Sequence, residues 1–315
     1  MYHSSHRKKS MNNRVWITGA NGFIGRHLAK AFINKKVIKF FKTNSSSLME
    51  NKSNFSFSLD EQGIKSAIDM HGYPDQVFHL AGAPTVGRSF QNPHEDFVSN
   101  VITTEILLDA LSESKTHIIF ASSAAVYGDN YDKGIKVDDK LLPKSPYGFN
   151  KIISEEIIKS YVNFFGLSAT ILRLFSIYGP GLYKQLLFDC CVKLKTSTKS
   201  NPLVFGGTGK ELRDWLEVSD VVSAMQNLNK LDQGVVNTFN LGNGFAINIK
   251  DIILKTISAW EESSGLQPIF NKIKRPGDPF CLMADKTSLP PGFSPTVNID
   301  DGIKHYVAWF KSENN

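Results

Sequence analysis

A chain of 315 residues with 41% hydrophobic and 21% charged residues has material for one large or two smaller globular domains, which excludes a disordered or fibrous protein. No apolar run reaches the length of a membrane span, and three cysteines (Cys190 and Cys191 adjacent, Cys281 remote) make neither a disulfide framework nor a metal pattern. The net charge of +6 allows an anionic partner, but the lysines are dispersed and no arginine-rich block exists, so phosphorylated small molecules are expected rather than nucleic acid.

Residues 1–13 are basic and polar, and no apolar segment of signal-peptide length follows them. They are expected to be a disordered leader, with Met11 a second candidate start and the cytoplasm the expected compartment. Arg14-Val15-Trp16-Ile17-Thr18 has a strand pattern and runs directly into Gly19-Ala20-Asn21-Gly22-Phe23-Ile24-Gly25. A helix pattern over 27–33 and a second strand over 37–41 follow, which together predict a right-handed βαβ unit. The glycines let backbone amides at the helix N-terminus approach a diphosphate. Their spacing is three and three instead of two and three, so the weight of the motif rests on its strand-to-helix context.

The alternation continues with a strand over 76–82 that ends in small residues, a helix over 96–111, and a strand over 117–123 that ends in hydroxyls. A helix is expected from about residue 147 to 165, since Pro146 suits a helix start and Gly166 a stop. One more strand covers 169–173. Continuous apolar strands between helices predict an α/β fold, a Rossmann-type doubly wound parallel sheet with ligands beyond the carboxyl ends of its strands. Past residue 180 the texture shifts to shorter strands, prolines and glycine turns such as Gly206-Gly207-Thr208-Gly209 and Gly242-Asn243-Gly244. This predicts a smaller C-terminal α/β lobe. The expected organisation is the leader, a dinucleotide-binding Rossmann domain over 14–180 whose sheet is completed by later segments, and a mainly substrate-binding lobe over 181–315.

Tyr147 and Lys151 are four apart, so on a helix they emerge from one face. An ammonium beside a phenol favours the phenolate, which makes a tyrosine usable as an acid or base near neutral pH. An ordinary amphipathic helix produces the same spacing, so the pair acquires meaning only from the residues around it.

Those residues are Thr18-Gly19-x-x-Gly22-x-x-Gly25, His79-Leu80-Ala81-Gly82, Ser122-Ser123-Ala124-Ala125-Val126-Tyr127-Gly128 and Tyr147-x-x-x-Lys151. Further on come Leu172-Arg173-x-Phe175-x-x-Tyr178-Gly179-Pro180-Gly181, Arg213-Asp214-Trp215 and Arg275-Pro276-Gly277-Asp278. In this order, from about residue 14 to residue 309, the chain resembles the extended short-chain dehydrogenase/reductase family. Within it, the resemblance is to the NAD-dependent epimerase/dehydratase branch that acts on nucleotide sugars.

The resemblance implies that Tyr147 is the catalytic acid/base and that Lys151 lowers its pKa and holds the nicotinamide ribose. It implies that Ser123 hydrogen-bonds the reacting sugar oxygen. Gly19, Asn21, Gly22, Phe23, Ile24 and Gly25 are implied around the cofactor pyrophosphate, and Leu80, Ala81, Gly82, Asn100 and Phe175 elsewhere along the cofactor. Arg213 and Arg275 are implied to grip the diphosphate of a nucleoside-diphosphate sugar, a task suited to a planar guanidinium, with Thr85 and Ser176 near the sugar. No metal is implied: His71, His94 and His117 lack ligand spacing, and His79 reads as a structural strand-end histidine. The family commonly forms homodimers through the helices at 96–111 and from Tyr147. Here Ile153, Ile157, Tyr161 and Phe164 offer an apolar stripe that packing on the sheet explains equally well.

Several positions depart from the family pattern. Dehydratases carry an Asp-Glu pair just after the catalytic hydroxyl, where this chain has Ala124 and Ala125, which disfavours dehydration. The second strand ends Ile38-Lys39-Phe40-Phe41-Lys42-Thr43-Asn44 with no carboxylate for the adenosine ribose. Lys42 with Thr43 or Ser45 offers a seat for a 2′-phosphate, which favours NADP over NAD. Ser176 replaces a family asparagine, and Ala83-Pro84-Thr85 replaces the segment in which many 4-epimerases carry a lysine. The expected activity is oxidoreduction at carbon 4 of a nucleoside-diphosphate sugar, favoured as reduction of a 4-keto-6-deoxy sugar. The alternative is a 4-epimerase resembling UDP-glucose 4-epimerase with tightly held NAD. A non-catalytic cofactor-binding protein is the competing class, and the intact Ser123, Tyr147 and Lys151 argue against it.

Overall fold

The computed structural model describes residues 14–32, 37–41, 54–83, 85–129, 133–196, 202–260, 265–273 and 276–313. The expected leader, Lys42 and Arg275 lie outside the described residues. The chain begins with β1 (Val15–Thr18), α1 (Phe23–Ala31), β2 (Val37–Phe41), β3 (Asn54–Ser58), α2 (Glu61–His71) and β4 (Gln76–His79). Next come α3 (Val86–Gln91), α4 (Pro93–Phe97), a π-helical segment (Val98–Ile102), α5 (Thr103–Leu111), β5 (His117–Ser123), a 3-10 turn (Ala124–Val126) and α6 (Pro146–Phe165). They are followed by β6 (Ser168–Leu174), β7 (Ser176–Tyr178), α7 (Gln185–Thr196), β8 (Leu203–Phe205), β9 (Leu212–Glu217) and α8 (Val218–Gln226). The chain closes with β10 (Val236–Leu241), β11 (Ala246–Asn248), α9 (Ile249–Trp260), β12 (Pro268–Phe270), β13 (Cys281–Leu282) and α10 (Ile299–Glu313).

Seven strands form one parallel sheet in the order β10-β6-β5-β4-β1-β2-β3. Side chains alternate across its strands, and both faces are apolar because helices cover both. Trp16, Phe40, Val77, Ile118 and Ile171 pack on one side with Ile64 of α2, Leu107 of α5 and Ile158 of α6. Ile17, Val37, Phe78, Ile119 and Leu172 pack on the other with Leu28 of α1 and Val221 of α8. Full burial of each such side chain contributes about 1.5–3 kcal/mol, so the continuous apolar strands are themselves the cause of the two-sided sheet. The chain winds from β1 out through β2 and β3, then returns to place β4 on the other flank of β1. The resulting crevice at the carboxyl ends of β1 and β4 is where such sheets hold ligands.

Two readings of the sequence change in detail. α1 starts at Phe23, four residues before the expected position, so Gly25 lies inside the helix. The helix expected over 96–111 is broken into α4, the π-helical segment and α5. β3 and α2 occupy a polar stretch that carried no clear pattern. β10, well past residue 180, pairs with β6 along its whole length and forms the sheet edge.

The remaining strands gather outside this sheet: β9 lies between β11 and β13 and also pairs β7, while β8 pairs β12. A separate core joins Leu187, Cys190 and Cys191 of α7, Ile253 and Trp260 of α9, and Tyr306 and Phe310 of α10. All three cysteines are buried thiols. Among the described residues, no helix is long and apolar enough to cross a membrane, and no His/Cys/Asp/Glu group has the makings of a metal site.

Candidate active site

The turn after β1 requires glycine at two points. Gly19 has φ +67°, and a Cβ there would lie 2.8 Å from the Ala81 amide nitrogen. A Cβ on Gly25 would lie 2.2 Å from the Gly19 carbonyl oxygen, so the first turn of α1 can close on the loop only without a side chain. Gly22 is the N-cap of α1 and supplies no side-chain cap, and no acidic residue sits in the first turn. The amides and the positive dipole end of this nine-residue helix therefore remain available to an anion. Asn21 and Gly22 are exposed there, and Phe23 and Ile24 half-buried. This cradle, which a Cβ would fill, fits a dinucleotide diphosphate.

Ser123 ends β5, and Tyr147 and Lys151 sit on the first turns of α6. Ser145 caps that helix by accepting the Gly148 N–H at 3.1 Å, Pro146 occupies the first turn, and Gly166 closes it at φ +74°. A Cβ on Gly148 would lie 2.5 Å from the Ala125 carbonyl oxygen, which shows how tightly the start of α6 presses on the turn beyond Ser123. That packing brings the Ser123 hydroxyl to the Tyr147 phenol. The buried Lys151 ammonium donates to the Ala121 carbonyl at 3.0 Å and lies 4.7 Å from the centre of the Phe120 ring.

The ammonium is 5.9 Å from the centre of the Tyr147 ring, and the electrostatics differ from the sequence expectation. Burial pushes the half-buried phenol up to about 12, with the Ser123 hydrogen bond pulling the other way. Burial also pulls Lys151 down to about 8, opposed by Asp96 and then Glu155. The spacing of four does place both groups on one helix face, but burial is the largest influence on each. Burial, rather than Lys151, thus sets the direction in which Tyr147 is shifted in this state of the protein.

Asn100 lies in the π-helical segment, a distortion frequent at functional sites. Its side-chain amide donates to the Asp96 backbone carbonyl at 2.9 Å, and its backbone carbonyl accepts from the Thr104 hydroxyl at 2.6 Å and the Ser154 hydroxyl at 3.2 Å. Because the Thr104 hydroxyl donates to Asn100, it accepts from His79 Nε2 at 2.9 Å. His79 Nδ1 then accepts from Thr18 at 2.7 Å, and Thr18 accepts from the Ala81 amide at 3.2 Å. One tautomer satisfies the whole chain, and burial pulls His79 down to about 3, which keeps it neutral. His79 is a structural tie between the glycine turn and Asn100.

Leu80 and Ala81 follow β4 half-buried, Gly82 is exposed, and Thr85 is the N-cap of α3. Phe175 is buried with Ala124, Val126 and Tyr127, and Ser176 opens β7 directly opposite Trp215. Arg213, on β9, donates to Asp278 at 2.7 Å and to the Leu212 and Phe280 carbonyls. It therefore stands within the outer sheets, paired with the acid three residues past Arg275. The neighbouring Asp214 accepts from the amides of Asn243, Gly244 and Ala284, which ties their loops to β9.

Sequence reasoning missed the buried polar groups behind Lys151. Asp96 accepts from Asn150 at 2.7 Å, and Glu155 binds Arg173 of β6 at 2.7 and 3.0 Å while accepting from Ser122 at 2.5 Å. The available signal was helical spacing, since Asp96 precedes Asn100 by four and Glu155 follows Lys151 by four.

Comparison with known proteins agrees with this geometry. Residues 15–242 match the family described as the NAD dependent epimerase/dehydratase family. An uncharacterized UDP-glucose epimerase of Bacillus subtilis, YtcB, is 28% identical over 95% of this chain and 98% of its own length. The structure of a Thermotoga maritima UDP-glucose 4-epimerase with UDP-glucose superimposes at a TM-score of 0.84. It is 25% identical and covers 96% of this chain and 100% of that one. A Bacillus cereus UDP-glucuronic acid 4-epimerase, solved with UDP-glucuronic acid and NAD, superimposes at 0.81 with 26% identity over 95% of this chain and 99% of that one. With the sheet, glycine cradle and Ser123-Tyr147-Lys151 cluster in place, the chain belongs to the NAD-dependent epimerase/dehydratase family of enzymes.

Proposed function

We propose that the protein is an NAD-dependent 4-epimerase acting on a sugar carried by a nucleoside diphosphate, with uridine the favoured base. The observation that carries this reading is the meeting of Ser123, Tyr147 and Lys151 beside the glycine cradle, with Ala124 and Ala125 on the turn beyond Ser123. Elimination of water needs carboxyl groups on that turn, whereas inversion of a carbinol needs one acid/base and one hydride carrier. The similarity to UDP-glucose and UDP-glucuronic acid 4-epimerases supports the same reading.

In this mechanism Tyr147 exchanges a proton with the oxygen on carbon 4, and Ser123 donates to that oxygen as charge develops on it. Lys151 contributes positive charge and orients the ribose. NAD, when bound, supplies the acceptor and donor of the hydride. Gly19, Gly22 and Gly25 with the first amides of α1 hold its diphosphate, and Gly82 and Asn100 flank it. Arg213 and Arg275 hold the diphosphate of the sugar, so residues 14–180 serve mainly the cofactor and 181–315 mainly the substrate. Exposed Phe97, Val98, Ile102, Phe149 and Phe164 on α4, the π-helical segment and α6 support a homodimer through these helices. Buried thiols support a cytoplasmic location.

Reduction of a 4-keto-6-deoxy sugar nucleotide with NADPH retains one observation in its favour, since β2 closes on Lys39-Phe40-Phe41 without a carboxylate. The deciding experiment is to denature the purified protein, identify any released nicotinamide nucleotide, and follow UDP-glucose and UDP-glucuronic acid for inversion at carbon 4 by NMR. Released NAD with inversion supports the epimerase. Saturable NADPH binding, weakened in Lys42→Ala and without retained NAD, overturns it in favour of the reductase.

A further inference from the structure

A buried carboxylate with no part in the chemistry above is hydrogen-bonded to Asn150, the residue before Lys151. Asp96, in α4, is only 3% exposed, and its Oδ2 accepts the Asn150 amide at 2.7 Å. Its Oδ1 is buried without a hydrogen-bond partner; the Asn100 side-chain amide donates to the Asp96 backbone carbonyl at 2.9 Å and also favours the charged carboxylate. Lys151 directly follows Asn150 and shows the complementary imbalance. Among the described residues its ammonium makes one hydrogen bond, to the Ala121 carbonyl, and it lies over the Phe120 ring, so two of its three N–H groups are without an acceptor there. α4 packs against α6, and across this contact the half-satisfied carboxylate and ammonium act on each other through space, the Lys151 charge opposing the burial that raises the Asp96 pKa. Neither is tolerable alone in an interior of low dielectric.

The other groups near Lys151 do not supply this compensation. Glu155, one turn further along α6, spends both carboxylate oxygens on Arg173 of β6, so its charge is already balanced. His79 of β4 is neutral, and Tyr147 is protonated. Asp96 is the carboxylate near Lys151 that no cation contacts among the described residues.

We propose that Asp96 is a positioning residue of the catalytic pair, whose buried charge keeps the Lys151 side chain an ammonium and holds it between α4 and α6. The proposal rests on the reading above in which Lys151 contributes positive charge and orients the ribose. Burial alone drives Lys151 toward the neutral amine, and Asp96 is the foremost group resisting this. A neutral Lys151 neither favours a phenolate nor offers three donors to a ribose.

The test follows Lys151 directly and needs no turnover. In full-length protein labelled with 13Cε-lysine, the Lys151 resonance is assigned by its loss in Lys151→Met and titrated with pH. Asp96→Asn, which preserves shape and the bond from Asn150, is expected to lower the Lys151 midpoint by about one pH unit. Asp96→Ser removes the same charge with less bulk and is expected to give the same shift. Asn150→Ala keeps the charge and should leave the midpoint within a few tenths of a unit. An unmoved midpoint in both Asp96 variants overturns the proposal, even if activity is lost, because a merely structural role would produce that outcome. A shifted midpoint in a protein that inverts no nucleotide sugar upholds the role of Asp96 and rejects the epimerase.

Discussion

Asn100 Oδ1, buried and without a hydrogen-bond partner, lies 2.6 Å from the point that a Cβ on Gly82 would occupy, and Lys151 Nζ lies 3.4 Å from the same point. Gly82 also has φ +155°, which side-chain-bearing residues rarely adopt. Gly82→Ala should therefore push the methyl into Asn100 and disturb the Lys151 ammonium. The expected result is a loss of more than tenfold in retained nicotinamide cofactor, with destabilisation of about 1–3 kcal/mol. Cofactor content after denaturation and the thermal midpoint report the two effects, and unchanged cofactor content would show that this corner does not face the ligand.

Tyr147→Phe removes the phenolic proton and leaves the ring that packs beside Ser123 and Lys151. Turnover should fall by about 10²–10⁴-fold while cofactor binding and thermal stability stay near those of the parent. A variant that keeps more than a tenth of the parent rate would transfer the acid/base role to another group.

The buried pair Glu155 and Arg173 ties α6 to β6, and Arg173 also donates to Tyr127 at 2.7 Å and to the Val137 carbonyl at 2.9 Å. Arg173→Met leaves a buried carboxylate without its cation and should cost about 3–5 kcal/mol in urea unfolding. Pairing it with Glu155→Gln removes the stranded charge, so the double variant should be more stable than Arg173→Met alone. Equal stability of the two would mean that the Glu155 charge finds another partner.

Two buried histidines make the fold sensitive to acid. His79 is pulled from 6.5 to about 3 and His117 to about 4, mainly by burial, while the unfolded chain takes up protons near 6.5. Their contribution is complete above about pH 6.5 and declines as the pH falls toward 4, by about 1.4 kcal/mol per pH unit for each. Asp214, pushed up to about 6 by burial, acts in the opposite sense and offsets part of the slope. Urea unfolding between pH 7 and pH 4.5 should show this decline, with a shallower slope in His79→Gln. Equal slopes for the two proteins would contradict a neutral buried His79.

Much of the fold was legible because its signals are local. The apolar runs of β1, β4, β5 and β6 need no partner to be recognised, and Pro146 and Gly166 mark the ends of α6 by their own backbone preferences. β3 was not legible, since five residues of alternating Phe55 and Phe57 within a polar stretch fall below what periodicity resolves. The place of β10 was not legible either, because pairing with β6 joins positions about 70 residues apart and leaves no mark at short range.

At the site the division is the same. The residue types and the four-residue spacing of Tyr147 and Lys151 established which groups share a helix face, and Gly19 and Gly25 established where backbone must approach backbone. What each group then experiences was decided by packing. Packing on β5 turns the Lys151 ammonium to Ala121 and Phe120, and packing on α4 bonds Asp96 to the neighbouring Asn150. Desolvation depends on every surrounding element at once, so the direction in which Tyr147 and Lys151 are shifted belongs to the tertiary structure. The chemical identity of the groups belongs to the sequence.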